Sequence, residues 1–431
     1  MAQALPSTWF EPLDVLGFAH EAVDEAQRSV DALASARGVD LVGSSSTARV
    51  VAALGAAEHL RVAGHTPATW APLSGFFAAR DGWVRTHGNY PHHAAALLAA
   101  LGVVEAAEVP ARLGELDTAE IEERVRAGGG VAVAVRTVAE WASTDHGRMT
   151  AGDPWFTVED RGEARPAASS RGRVASRGGP MDGVRVLDLT RVIAGPVCSQ
   201  LLACLGADVL RIDAPHRPEI PELYLATGMG KRSAEADFAD VATAIRRDLL
   251  PGADVVLHGY RRGSLARFGL DPEALAYDFP GLVVGTLSAW GETGPWAERP
   301  GFDSIVQAAC GIADLCGRPD RPGALPVQAL DHATGYLLAA RVLDALARGR
   351  GSTISISLLG AARTLLAGAG SGVRRDVDVD MEDILVKAEG PDMDVRIVPP
   401  AVLLDGRPLV RPLHGCGAAS LSWAESRTDR G

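Results

Sequence analysis

At 431 residues the chain is long enough to bury a large core and to divide into two domains. It is 47% hydrophobic and 22% charged, the balance of an ordinary globular chain, and its net charge of −12 argues against nucleic acid or an anionic membrane surface as partner. No uninterrupted apolar run approaches the roughly 20 residues of a membrane span, and the opening MAQALPSTWFEPLD lacks a basic patch followed by an apolar core, so a cytoplasmic location is expected.

Residues 1–160 are Ala-rich and mainly helical in pattern. Phe18, Ala22 and Ala26 share a helical face, and SSSTARVVAALGAAEHL (44–60) starts with capping serines. FFAARDGWVRTH (76–87) reads as a hairpin around Asp81-Gly82, a pair suited to positive φ angles, and Pro91 then starts a helix at its preferred first position. His87, His92 and His93 match no standard metal spacing; surface or interface histidines are expected.

Residues 161–180, RGEARPAASSRGRVASRGGP, have too little apolar surface to order themselves and are expected to be a linker. Beyond it VRVLDLT, ADVLRIDA, DVVLHGY and LVVGTLSAW alternate with helical stretches such as PVCSQLLACLG and DVATAIRRDLL. That alternation predicts an α/β fold, a parallel sheet with helices on both faces, and ligands in such sheets bind beyond the carboxyl ends of the strands. Residues 191–195, 260–263 and 288–294 fall at those ends. No GxGxxG follows the first strand, which removes the main support for a nicotinamide site. The GAGSG string of Gly368, Gly370 and Gly372 follows a helical run and is expected to be a helix terminus.

The five cysteines are odd in number and include no CxxC, so neither a disulfide framework nor a zinc site is expected. Cys198, Cys204, Cys310 and Cys316 lie in apolar segments and read as small buried residues. The stretch 371–431 opens with an acidic run (Asp376, Asp378, Asp380, Glu382, Asp383) without the glycine and spacing of a calcium loop. A hairpin around Asp405-Gly406 is expected within it.

In GFDSIVQAACGIADLCGRPDRPGALPVQALDHATGYLLAA (301–340) one carboxylate stands out. Asp331 opens a segment with Leu338, Val342 and Leu346 at helical spacing, so it reads as the first residue of a helix, where an Asp ordinarily serves as an N-cap.

This segment, together with residues 184–215, GKRS (230–233), 253–275 and 281–303, resembles in order and spacing the family III CoA-transferases, a family that also contains 2-methylacyl-CoA racemases. The resemblance covers about residues 181–366. Residues 70–102 resemble the small domain of the same family, which there follows the large domain rather than preceding it. The resemblance implies a Rossmann-like parallel sheet flanked by helices at 181–370, which binds CoA and carries the catalytic Asp. It implies a helix-rich α+β small domain at 1–160, a linker at 161–180, and a C-terminal extension at 371–431 that partly returns to the fold.

It also implies an activity: transfer of CoA from an acyl-CoA to a small carboxylic acid. Asp331, matching the family's catalytic aspartate, would attack the donor thioester to give a mixed anhydride and then an aspartyl-CoA thioester. No permanently bound cofactor is implied; CoA or acyl-CoA is the substrate, and the partner is a second copy in a homodimer. Val192, Ile193 and Tyr260 would lie against the nucleotide, and Arg211, Lys231, Arg232 and Arg267 would neutralise its phosphates. The chain departs from the family in having Leu330 where a glycine usually precedes the aspartate, although Gly335 four residues later is kept. It also lacks an evident glycine-rich loop over the site. Racemases of the family carry a histidine in a GHD string, because α-proton transfer on opposite faces takes two bases. Phe302 stands there instead, favouring transfer over an acyl-CoA isomerase or racemase. A non-catalytic CoA-binding homologue is the third reading.

Overall fold

The computed structural model describes residues 3–4, 6–163, 179–369, 378–390 and 393–424. The first α-helix is α1 (Val15–Ala36), with the Asp14 carboxylate accepting from the Gly17 N–H at 2.8 Å as its cap. Phe18, Ala22 and Ala26 are buried on one face as their spacing predicts. A small antiparallel sheet follows from β1 (Gly75–Ala78) and β2 (Trp83–Thr86). The chain continues through α2 (Pro91–Leu101) and α3 (Thr118–Ala127) into the sheet's third strand, β3 (Ala132–Ala134). Leu73, Val84, Leu97, Leu113, Ile121 and Val125 give this unit a core of its own. Pro91 stands at the first position of α2, and Gly102 ends that helix at φ 69°.

The two Asp-Gly hairpins differ. Asp405 and Gly406 take φ 48° and 71°, the double positive φ of a two-residue turn. The β1–β2 connection is closed instead by Ala79 N–H donating to Gly82 C=O at 2.8 Å, and neither Asp81 nor Gly82 has positive φ. The longer loop there removes the need for it.

A seven-stranded sheet organises the rest. Its strands are β4 (Phe156–Glu163), β5 (Arg185–Leu189), β6 (Asp208–Asp213), β7 (Arg232–Glu235), β8 (Val255–His258), β9 (Val283–Ser288) and β10 (Arg350–Ser357). The spatial order is β7-β6-β5-β8-β9-β10-β4, parallel throughout except β4, which runs antiparallel along β10. Four of these strands are the four β-branched runs read from the sequence. One face carries α4 (Ala194–Cys204) and α7 (Ala329–Ala347) in the main core; the other carries Val256, Val284 and Leu275 of α5 (Pro272–Asp278) in a second cluster.

Helix α1 lies along α7, Arg341 of α7 pairs with Glu25, and Phe18 stacks on Trp155 at 5.1 Å. The first helix therefore belongs to the core of the large sheet. The expected boundary at 160/161 cuts through β4: Arg161 donates to Thr353 Oγ1 and Leu282 C=O, both at 2.7 Å, so its place is in a strand and not in a linker. Most of the expected linker, 164–178, lies outside the described residues. Within the C-terminal stretch, Leu403–Leu404 pairs with Gly43–Ser44 and Val395–Ile397 with Arg61–Val62. Of the GAGSG glycines, Gly368 caps the helix Leu358–Ala367, and Gly370 and Gly372 lie outside the described residues, as does Asp376. Cys198, Cys204 and Cys310 are buried, Cys316 is half-buried, and all five cysteines are free. Among the described residues, no single helix is long and apolar enough to cross a membrane.

Candidate active site

The sheet's strand order reverses between β5 and β8, and a cavity of about 740 Å³ opens over the carboxyl ends there. Such a reversal leaves a crevice because the loops after the two central strands turn to opposite faces. The loops expected to gather do so: Arg191 and Val192, Tyr260 and Arg261, and Ser288 and Gly291 all line it.

Asp331 lies in the wall of this cavity, 6% exposed, as the third residue of α7. It is neither the first residue nor the cap of its helix. Gln328 is at the N-cap position and makes no side-chain capping bond. The capping group comes from another element: Asp303, at the head of α6 (Asp303–Ala309), accepts from the Asp331 N–H at 2.9 Å through Oδ2, and from Gln307 through Oδ1. Burial, and after it the negative charge of Asp303, pushes the Asp331 carboxyl well above the ordinary range. Burial raises Asp303 as well, opposed by those hydrogen bonds and by the charge of Arg85 on β2. Leu330 is fully buried in the first helical turn, so the missing glycine is not needed for a loop at this point. Gly335 is needed: a Cβ there would come within 2.5 Å of the Ala194 carbonyl oxygen. Its absence lets α7 touch the start of α4 and sets Asp331 beside the 191–194 loop.

Val192 lines the cavity with φ 71°, a strained conformation for a β-branched residue. Its N–H is held by Glu219 Oε2 at 2.8 Å, and Ile193 is buried at the N-cap of α4 behind it. Tyr260 lines the cavity edge-on to Phe238. The expected phosphate cations are elsewhere. Arg211 is buried in mid-strand, held by both oxygens of Asp213 and by Glu219, each at 2.8 Å. Lys231 is fully buried, donating to Pro196 C=O at 2.7 Å. Neither has surface to offer a phosphate. Arg232 pairs with Asp208 and the Ser422 carbonyl, and exposed Arg267 lies over the Phe268 ring, outside the cavity lining.

The cavity supplies other cations. Arg126, Arg161, Arg191, Arg217, Arg261 and Arg299 line it, and Arg217 and Arg261 have no carboxylate partner among the described residues. Position along the strand separates the two groups: Arg191, Arg217 and Arg261 follow the carboxyl ends of β5, β6 and β8, whereas Arg211 is inside a strand and Lys231 immediately precedes one. His92, exposed, and His93, half-buried, also line the cavity, while His87 is buried, stacked flat on Phe302 at 3.6 Å, so of the three only His87 departs from the surface expectation. Burial pushes His93 down to about 4 and His87 to about 3. Gly129, with φ 78°, and Gly130 line the cavity too, from the connection between α3 and β3.

Residues 181–372 match the family model for CoA-transferase family III. The matched region is under half of the chain. The chain is 36% identical over 182 residues to the probable fatty acyl-CoA transferase Rv3272 of Mycobacterium tuberculosis, a match covering 39% of this chain and 46% of that protein. It is 35% identical over 212 residues to the succinate–glutarate CoA-transferase of Agrobacterium fabrum, covering 44% of this chain and 53% of that protein. The crystal structure of Rv3272 in its orthorhombic form aligns at 35% identity with a TM-score of 0.41, over 44% of this chain and 56% of that one. The chain thus spans about half the length of the curated relatives it matches. The family III region holds β5 to β10 and Asp331; β4, α1 and the Tyr90–His93 stretch come from outside it.

Proposed function

We propose that the chain is an acyl-CoA:carboxylate CoA-transferase with Asp331 as nucleophile. The observation that carries this reading is the placement of one buried carboxyl group, Asp331, in a cavity that several arginines also line. A CoA thioester has that polarity, an electrophilic carbonyl at one end and phosphates at the other, and the strand order supports a Rossmann-like reading of the sheet.

In the proposed sequence an Asp331 carboxylate oxygen attacks the donor thioester carbonyl and the C–S bond breaks, giving a mixed anhydride and CoA thiolate. The thiolate attacks the aspartyl carbonyl, releasing the donor acid and leaving an aspartyl-CoA thioester. The acceptor carboxylate attacks that thioester and the thiolate leaves again. Its return to the acceptor's acyl carbonyl yields the new acyl-CoA and the free Asp331 carboxylate. The overall reaction exchanges one thioester for another, so no external energy source is required. The cytoplasm as its location and a homodimer as its assembly are proposed on the family resemblance.

The test is intact-protein mass spectrometry after incubation with a panel of acyl-CoAs, comparing wild type with Asp331→Ala and trapping with hydroxylamine. A labile adduct on wild type alone supports the proposal. CoA binding without an adduct from any donor overturns it in favour of a non-catalytic CoA-binding protein. A second reading, α-proton transfer by an isomerase or racemase, draws on His93, which lines the same cavity and has a buried Nδ1 without a partner among the described residues. Deuterium uptake at the acyl α-carbon without an adduct would select it.

A further inference from the structure

One row across the sheet is polar from end to end. His258, Thr286, Ser355 and Thr157 are register partners on β8, β9, β10 and β4, so their side chains share one face at steps of about 4.8 Å. All four line the cavity. This is the face of Val256 and Val284, opposite the one on which α7 packs. The cavity therefore runs from Asp331 over the strand ends and down the far side of the sheet.

The inner part of the row is buried and unsatisfied. His258 is 2% exposed, and neither Nδ1 nor Nε2 has a partner among the described residues; the same holds for Thr286 Oγ1 and for Tyr260 Oη, two residues along. Buried polar atoms ordinarily have partners, and leaving them without any costs stability. Four such atoms on one cavity wall point to a group that arrives with the ligand. Burial pushes His258 down to about 4, so near neutral pH its ring offers one N–H donor and one bare nitrogen acceptor. The two hydroxyls each donate and accept. Such an uncharged set is a poor match for a phosphate, which the arginines serve better.

We propose that His258, Thr286 and Tyr260 form a recognition site for a neutral amide-type group of the bound thioester, one presenting an N–H beside an acceptor. In a CoA ester that chemistry occurs twice, in the amides of the pantetheine arm and along the adenine edge. The inference rests on the acyl-CoA reading above and adds to it a specificity site remote from Asp331.

The test is calorimetric titration of the full chain with CoA, 4′-phosphopantetheine and adenosine 3′,5′-bisphosphate, for wild type, His258→Leu and His258→Gln. Removing the imidazole weakens CoA by about tenfold, and Gln, which keeps a donor and an acceptor, recovers most of it. Loss of affinity for the first fragment places the pantetheine amides at His258; loss for the second places the adenine edge there. If His258→Leu does not fold, Thr286→Val repeats the measurement at near-constant volume. Wild-type affinity for CoA and both fragments in the variants overturns this inference and leaves the acyl-CoA reading standing. Failure of the wild type to bind CoA overturns both.

Discussion

The Asp331 N–H donates to Asp303 Oδ2 at 2.9 Å, so the first turn of the helix that carries Asp331 is capped by a second carboxylate from another helix. That contact fixes the backbone of Asp331 and sets a negative charge beside its side chain. Asp303→Ala leaves the Asp331 N–H and the Gln307 amide unsatisfied in a buried site, an expected loss of about 1–3 kcal/mol per group. Asp303→Asn keeps an acceptor and removes the charge. It should hold most of the stability and speed adduct formation near neutral pH, because the Asp331 carboxylate forms more readily. Thermal unfolding and a single-turnover time course separate the two effects.

The pH dependence of stability has an unusual sign at this site. Both carboxyls are raised above the ordinary range, so the folded state binds more protons than the unfolded state above about pH 4. Their contribution is fully favourable below that value and is lost as pH rises through the folded-state values. Replacing Asp331 by Asn removes the buried charge. The variant should be more stable than wild type at pH 8, with the difference shrinking towards pH 5, and each pKa unit of change corresponds to about 1.4 kcal/mol. Denaturant melts at the two pH values measure it. A constant difference would show that Asp331 titrates like an exposed carboxyl.

The motif order singled out Asp331, which lies in the cavity wall, and the four central strands were legible because β-branched runs alternate with helices. The capping of α7 by Asp303 was not, since the contact spans 28 positions and nothing local marks it. Arg211 and Lys231 misled for a related reason. Both lie near motif residues, but Arg211 within its strand and Lys231 just before one are buried, whereas Arg191, Arg217 and Arg261, past the carboxyl ends of β5, β6 and β8, reach the crevice. The incorporation of α1 and β4 into the large sheet's core was equally hidden, because an amphipathic helix does not announce which apolar surface it will cover.

That distinction between cations makes a prediction. Arg217→Ala and Arg261→Ala remove guanidinium groups that have no carboxylate partner among the described residues. Each should weaken CoA binding several-fold with little change in thermal stability, and the loss should shrink as salt is raised. Arg211→Ala should instead leave Asp213 and Glu219 buried without their cation, a loss of about 3–5 kcal/mol in stability. Paired melting and titration curves decide it; a stable Arg211→Ala protein that fails only in CoA binding would reverse the assignment.

Tyr90 links the N-terminal half to the cavity. Its hydroxyl donates to Glu219 Oε1 at 2.6 Å, Glu219 Oε2 holds the Val192 N–H, and the Arg191 guanidinium lies 5.1 Å over the Tyr90 ring. Burial works against the Glu219 charge, and Arg211 and Arg191 outweigh it, holding that carboxyl below its ordinary range. The left-handed backbone at Val192 costs of order 1–3 kcal/mol and persists only while its surroundings hold it. Tyr90→Phe removes one hydrogen bond to a buried charge, worth about 1.5–3 kcal/mol, and loosens that hold without touching Asp331. The expected result is a several-fold rise in KM for acyl-CoA with kcat little changed. Glu219→Gln should do more, because it also removes the negative charge facing Arg191 and one of the two carboxylates that hold Arg211. Equal falls in kcat and kcat/KM would mean that Tyr90 acts on the transition state itself, and the loop at Val192 would lose its role as the intermediary.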